Sequence, residues 1–225
     1  MALLEIVKYG EPVLETPGEP VTEFYASLKR LVSDMFETMY AARGVGLAAP
    51  QVGVSKRLFV MDCSGGGDPE ARVALVNPVV LNVEGDQTGD EGCLSFPGVF
   101  FPVKRSLRAV VRAQDLDGEE FEFDGLELEA RCMLHETDHC DGIVFIDRTT
   151  TLKRELVKRS LRAVVRAQDV RGEEFEFDGL ELEARCMLHE TDHCDGVVFI
   201  NHTTVLKREW VKRRMKKLAK QKRWV

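Results

Sequence analysis

Residues 103–156 recur as residues 157–210 with seven differences, so 54 of the 225 positions are written twice. This constrains the fold more than any other feature. Two copies do not make a solenoid, which needs about three repeats to bury a continuous core. A chain of this length has enough apolar content for one good core. The copies therefore compete for one place in one domain. The tripeptide Val103-Lys104-Arg105 returns at Val157-Lys158-Arg159 and at Val211-Lys212-Arg213, so a tandem duplication joined at the shared tripeptide is the simplest account. The differences fall at Leu116/Val170, Asp117/Arg171, Ile143/Val197, Asp147/Asn201, Arg148/His202, Thr151/Val205 and Leu156/Trp210.

Each copy holds one chemically pointed segment, His135-Glu136-Thr137-Asp138-His139 and His189-Glu190-Thr191-Asp192-His193. Histidines four apart on a helix share a face and can reach one metal ion. The Glu after the first His projects into the same space and can act as a general base. Alone, such a helix can also be a solvated polar stripe. Two further segments, each present once, sharpen the reading. Glu91-Gly92-Cys93-Leu94-Ser95 offers a thiolate. Cys93 by itself would read as a small buried hydrophobe. With the two histidines it makes a Cys/His/His set that leaves a fourth tetrahedral position for water. Gly44-Val45-Gly46-Leu47-Ala48-Ala49-Pro50-Gln51 lacks the Gly-Lys-Ser/Thr of a phosphate loop. Its small residues let a peptide backbone approach, and Gln51 offers an amide donor. Cys132, three residues before His135, has no matching cysteine pair and reads as core.

The three segments together resemble the peptide deformylase family of bacterial type, over residues 1 to about 156. That resemblance implies that Cys93, His135 and His139 hold the metal and that Glu136 is the general acid/base. It implies that Gln51 and the backbone N–H of Leu94 polarise a formyl oxygen, and that Gly44, Val45 and Gly46 line the substrate. The implied metal is Fe²⁺, with Zn²⁺, Ni²⁺ or Co²⁺ as replacements, one per chain. The implied substrates are N-formylmethionyl nascent peptides, from which formate is removed. Two other readings compete. One is a general HExxH metallopeptidase, which needs a third His or Glu ligand on a later helix. The other is a misassembled duplicated chain that binds metal or ribosome without turnover. The second copy has no second Gln51 segment or Cys93, so only one of the two helices, His135/Glu136/His139 or His189/Glu190/His193, completes the site at a time. The Asp147-Arg148 form looks more like the family than Asn201-His202.

The fold class expected is α+β, with mixed or antiparallel strands packed around a central HExxH helix, an N-terminal helix and a C-terminal helix. Residues 22–42 read as the N-terminal amphipathic helix, carrying Phe24, Leu28, Leu31, Met35 and Met39 with Thr22 as its cap. Residues 57–61 and 73–76 suit strands. Residues 106–114 and 119–124 suit strands around the Asp117-Gly118 turn. Residues 127–140 read as the motif helix, ended by Gly142. Residues 150–167 read as a continuous closing helix, with Leu152, Leu156, Leu161 and Val164 or Val165 on one face. This makes residues 1–168 the catalytic core and residues 169–225 an appendage with the second hairpin, its motif helix and a basic end.

Net charge is −7, yet residues 206–225 carry ten basic side chains against Glu209. An acidic body with a basic tail predicts an anionic partner. By the resemblance this is ribosomal RNA, met by a basic C-terminal helix; DNA is not expected. No apolar run approaches the roughly 20 residues of a membrane span, so no membrane partner is expected. Met1–Lys8 lacks a secretory pattern, and four of the six cysteines are two positions counted twice. A reduced, cytoplasmic protein is the expectation.

Overall fold

The computed structural model describes residues 2–151 continuously, then 154, 157, 162–168, 173–180, 186, 187, 190–192, 194 and 195. The chain divides into two units, Met1–Arg154 and Glu155–Val225.

Helix α1 spans Ala26–Ala41 and buries Leu28, Val32, Met35, Phe36 and Met39, the i, i+4, i+7, i+8, i+11 stripe of an amphipathic helix. It starts later than expected, and Thr22 does not cap it. Tyr25 is the N-cap and makes no side-chain cap bond. The reason lies in the preceding chain. The Asn77 side chain accepts from Val21 N and donates to Val21 O, both at 2.8 Å, as an adjacent strand would.

The strands of the first unit are β1 (Gly46–Ala48), β2 (Leu58–Met61), β3 (Val73–Glu84), β4 (Gln87–Cys93), β5 (Phe96–Arg105), β6 (Arg108–Gln114) and β7 (Glu120–Leu126). Five form an antiparallel sheet in the order β1-β2-β3-β6-β7, and β4 pairs with β5 in a separate two-stranded sheet. Helix α2 (Leu128–Cys140) follows. The larger sheet is covered on both faces, which explains why β2 is apolar throughout. Leu58 and Val60 pack with the α1 residues, while Phe59 and Met61 pack with Ala130, Cys132 and Met133 of α2. The fold is α+β, with its motif helix packed on an antiparallel sheet.

β4 and β5 are an addition to the sequence reading. Their run of Gly and Pro hides a pair that holds register from Gln87↔Arg105 to Gly92↔Phe100 and shifts at Cys93. Proline is tolerated on such edges. Helix α2 ends close to expectation, with left-handed Gly142 at φ 72°.

The second unit corrects one expectation. Thr151, Arg154 and Val157 are helical, but Arg162–Gln168 is strand β8, antiparallel to β9 (Glu174–Leu180). Arg162↔Leu180 repeats the Arg108↔Leu126 register. A continuous helix to residue 167 is therefore absent. The same β-branched letters meet the same hairpin partner and form a strand again. A boundary after residue 168 would cut this hairpin, and the division falls at 154/155 instead. Among the described residues no helix is long and apolar enough to cross a membrane. His189, His193 and the basic end at 206–225 lie outside the described residues.

Candidate metal centre

Cys93 closes β4 at the register shift, and His135 and His139 stand one turn apart on α2. One donor atom from each lies within 4.8 Å of the others. Cys93 Sγ is 3.2 Å from His139 Nε2. The imidazoles meet edge to face, with centroids 5.1 Å apart. The three ligands foreseen from the sequence are thus brought together, Cys93 from the unduplicated chain and both histidines from the first copy.

The surroundings prepare these donors. His135 Nδ1 is 3.1 Å from Glu91 Oε2. A carboxylate there keeps the proton on Nδ1 and leaves Nε2 for the cluster, the usual second-sphere arrangement at a metal-binding histidine. Glu91 is itself held by Arg105, at 2.9 and 3.0 Å to its two oxygens, and by Arg131 at 2.8 Å. Burial pushes the Glu91 carboxyl up, but hydrogen bonds from His135 and Arg105 outweigh it and bring the pKa to about 2. His139 is fully buried, and burial above all, with the charge of Arg105 nearby, holds its pKa well below the ordinary value. It is therefore neutral, the form that binds metal. Its Nδ1 is buried with no partner among the described residues. A thiol and two imidazoles converging in this way fit a tetrahedral ion with one open position.

Glu136 lies beside the cluster, 4 % exposed, with Oε2 buried and unpartnered among the described residues. Burial raises its pKa to about 7, so it can take or give a proton at neutral pH. Gly46 makes the room: a Cβ there would stand 2.5 Å from Glu136 Oε1 and 2.6 Å from Cys132 Sγ. Gln51 sits in a 3-10 turn, Ala49–Val52. Its Oε1 accepts from Ala48 N at 2.8 Å, which turns Nε2 toward Cys93 Sγ at 3.3 Å and Ser95 Oγ at 3.4 Å. Leu94 occupies the turn between β4 and β5. Gly44, Val45, Gly46, Gln51 and Leu94 line one cleft of about 550 Å³ that reaches Cys93, His135 and Glu136.

The sequence reading assigned no role to Glu91, Arg105, Arg131, Asp138 or Arg148. Asp138 is buried and accepts from Arg105 at 2.6 Å and from Arg148 Nε at 3.0 Å, with a second bond from Arg148 Nη2. A signal existed. Asp138 is three after His135 on the expected helix and so shares a face with a ligand, whereas Glu91, two residues before Cys93, shares its face only once β4 is known to be a strand. Among the described second-copy residues, Cys186 and Glu190 are exposed.

The family model for polypeptide deformylase matches residues 3–155 and, separately, 151–209. The peptide deformylase of Acidobacterium capsulatum is 53% identical over 167 residues, spanning 74% of this chain and 98% of that protein. That of Thermodesulfovibrio yellowstonii is 44% identical over 162 residues, spanning 72% and 98%. The crystal structure of a peptide deformylase from Legionella pneumophila superposes with a TM-score of 0.67 at 42% identity, covering 70% of this chain and 92% of that one. Matching motifs, matching fold and a cluster able to hold a metal lead to one conclusion: the chain belongs to the polypeptide deformylase family.

Proposed function

We propose that this protein is a metal-dependent hydrolase that removes the formyl group from N-formylmethionine of nascent polypeptides. The observation that carries the reading is the convergence of Cys93, His135 and His139 beside the buried Glu136 in an open cleft. A divalent ion held by those three side chains supplies Lewis-acid chemistry and makes water acidic enough to ionise near neutral pH. A thiolate with two imidazoles suits iron or zinc alike, and the family resemblance is the ground for proposing Fe²⁺, with Zn²⁺, Ni²⁺ or Co²⁺ as replacements.

The chain's own residues do the rest. The Gly44-Val45-Gly46 segment and the β4–β5 turn receive the formylated end. Gln51 Nε2 and the Leu94 N–H donate to the formyl oxygen as it gains negative charge; one such donor is worth roughly 3–4 kcal/mol in comparable sites. Glu136 accepts the proton of the attacking water and delivers it to the leaving amine. Substitution to Gln keeps the shape and removes the proton shuttle.

A general metallopeptidase needs a later third ligand, and the Cys93 geometry makes that unnecessary. We assign the activity to the first copy and treat residues 155–225 as an appendage. Arg148 supports this choice: it clamps Asp138 next to His139, and the second copy carries His202 at the matching position. The basic end, 206–225, is proposed to meet ribosomal RNA in the cytoplasm, where nascent chains emerge. Deleting 211–225 should weaken ribosome binding in a salt-dependent way and spare short peptides.

Formate release from a formyl-Met peptide, measured anaerobically with iron-loaded protein, tests the main reading. Wild type should turn over, Glu136→Gln should keep its metal and lose ~10²–10⁴-fold in rate, and Cys93→Ala should lose both. A wild-type rate for Glu136→Gln would sink the assignment.

A further inference from the structure

Only Leu94 and Ser95 join β4 to β5, since Cys93 pairs with Phe96. The two-residue turns that suit a hairpin place a residue at positive φ, and other turns splay the strands. Neither Leu94 nor Ser95 has positive φ, and the register slips between Gly92 and Cys93. The strands alone therefore do not fix this turn. Yet the Leu94 N–H is one of the two donors assigned to the formyl oxygen, and a donor of that kind has to be in place before the charge develops.

The hold comes from the start of the chain. Tyr9 N–H donates to Ser95 O at 3.0 Å, and Val7 N–H donates to Gln51 O at 2.9 Å. These N–H groups, two residues apart, tie the β4–β5 turn to the residue that carries the other donor. Between them, Lys8 Nζ donates to Leu94 O at 3.2 Å. That oxygen belongs to the central peptide of the turn, whose orientation distinguishes one turn type from another. The segment is anchored by Tyr9, whose ring stacks on buried Phe96 with centroids 4.6 Å apart. Lys8 itself is exposed and lines the same cleft as Gln51 and Leu94.

We infer that Lys8 is a positioning residue for deformylation, holding the Leu94–Ser95 turn so that the Leu94 N–H and Gln51 Nε2 meet one oxygen. The inference rests on the deformylase reading. Lys8 acts through Leu94 and not on the substrate. Its loss therefore weakens a contact that matters once the oxygen carries negative charge, so kcat falls and KM stays. A misplacement of about 1 Å costs on the order of 10²-fold, and a turn still held by Tyr9 moves less than that.

Two arms test this on the full-length, metal-loaded protein. The first needs no turnover. Cys93-Leu94 is the sole Cys-Leu step in the sequence, so isotope labels on the cysteine carbonyl and the leucine nitrogen report the Leu94 N–H as a single magnetic-resonance peak in the zinc-loaded protein. Lys8→Met should shift or broaden that peak, and Lys8→Arg should leave it near its wild-type position. An unmoved peak in Lys8→Met overturns the hold on the turn. The second arm is formate release from a formyl-Met peptide. Lys8→Met should lose about tenfold in kcat with KM changed by less than about twofold, and Lys8→Arg should recover most of the rate. Metal content and urea midpoint should match wild type, because an exposed side chain carries little stability. An unchanged kcat, a KM that rises in its place, or a rate that falls only in step with metal or stability each overturns the positioning role. A wild type that releases no formate would count against the proposed function alone, because the peak still reports whether Lys8 holds the turn.

Discussion

Replacing Arg105 by Met should remove the largest single piece of electrostatic support under the metal centre. Arg105 is 7 % exposed and bridges two buried carboxylates. It gives two bonds to Glu91, at 2.9 and 3.0 Å, and one to Asp138 at 2.6 Å. Breaking a buried pair from one side costs about 3–5 kcal/mol, because the surviving charge is stranded. Here Glu91 keeps Arg131 and His135, and Asp138 keeps Arg148, so the lower end applies, about 3 kcal/mol. Against the 5–15 kcal/mol typical of a domain that is a large share. With a urea slope of ~2 kcal/mol/M it moves the midpoint down by about 1.5 M. His135 also loses part of its orientation, which should weaken metal binding by ~10–100-fold. The neighbouring residue is the control. Lys104 pairs with Asp86 at 2.9 Å, but both side chains are about two-thirds exposed (66% and 68%), and Lys104→Met should cost no more than about 0.5 kcal/mol. Urea unfolding of both variants at neutral pH decides the matter. A loss under about 1 kcal/mol in Arg105→Met, or equal losses in the two, would refute the reasoning.

Glu91 predicts an acid limb: its pKa falls from the ordinary 4.5 to about 2 on folding. A depressed carboxyl stabilises the fold fully above about pH 4.5, and that contribution, of order 3 kcal/mol, is lost as pH falls toward 2. Glu91→Gln should flatten this limb of the stability curve, and parallel curves would count against it. Gly46→Ala should press on Glu136 and Cys132, lowering kcat at least ~10-fold while metal content by elemental analysis stays near one ion per chain; an unchanged kcat would show that the wall yields freely. His135→Ala should abolish formate release and His189→Ala should leave it intact. The reverse result would mean that the second copy occupies the site, and equal partial losses would mean that the copies exchange.

The site was more legible than the scaffold around it. Cys93, His135, His139 and Glu136 carry their chemistry in their identity and spacing, and helix α2 follows from its letters and Gly142. Gln51 is legible as an amide but not in its orientation, which depends on Ala48 N across a turn. The Glu91–Arg105–Asp138 network depends on burial, which no local pattern reveals: the same letters on a surface would be ordinary solvated charges. β4 and β5 escape a strand pattern because Gly89, Gly92, Pro97, Gly98 and Pro102 read as loop, while pairing is decided by the opposite strand. At 162–168 helix and strand periods both fit, and the hairpin partner at 174–180 settles the choice.

The donors of the centre come from two pieces of structure that do not share a sheet. Cys93 ends the small β4–β5 ribbon, and His139 lies 46 residues later on a helix packed against the other sheet. An ion gripping both is a cross-link as well as a reagent. Closing a loop of that size in the unfolded chain removes entropy worth roughly 4 kcal/mol by the disulfide relation. Metal supply then sets how long the protein survives in addition to how fast it works. In a cell short of that metal, the emptied chain would be the easier one for proteases to take, so abundance would follow metal status with no dedicated regulator.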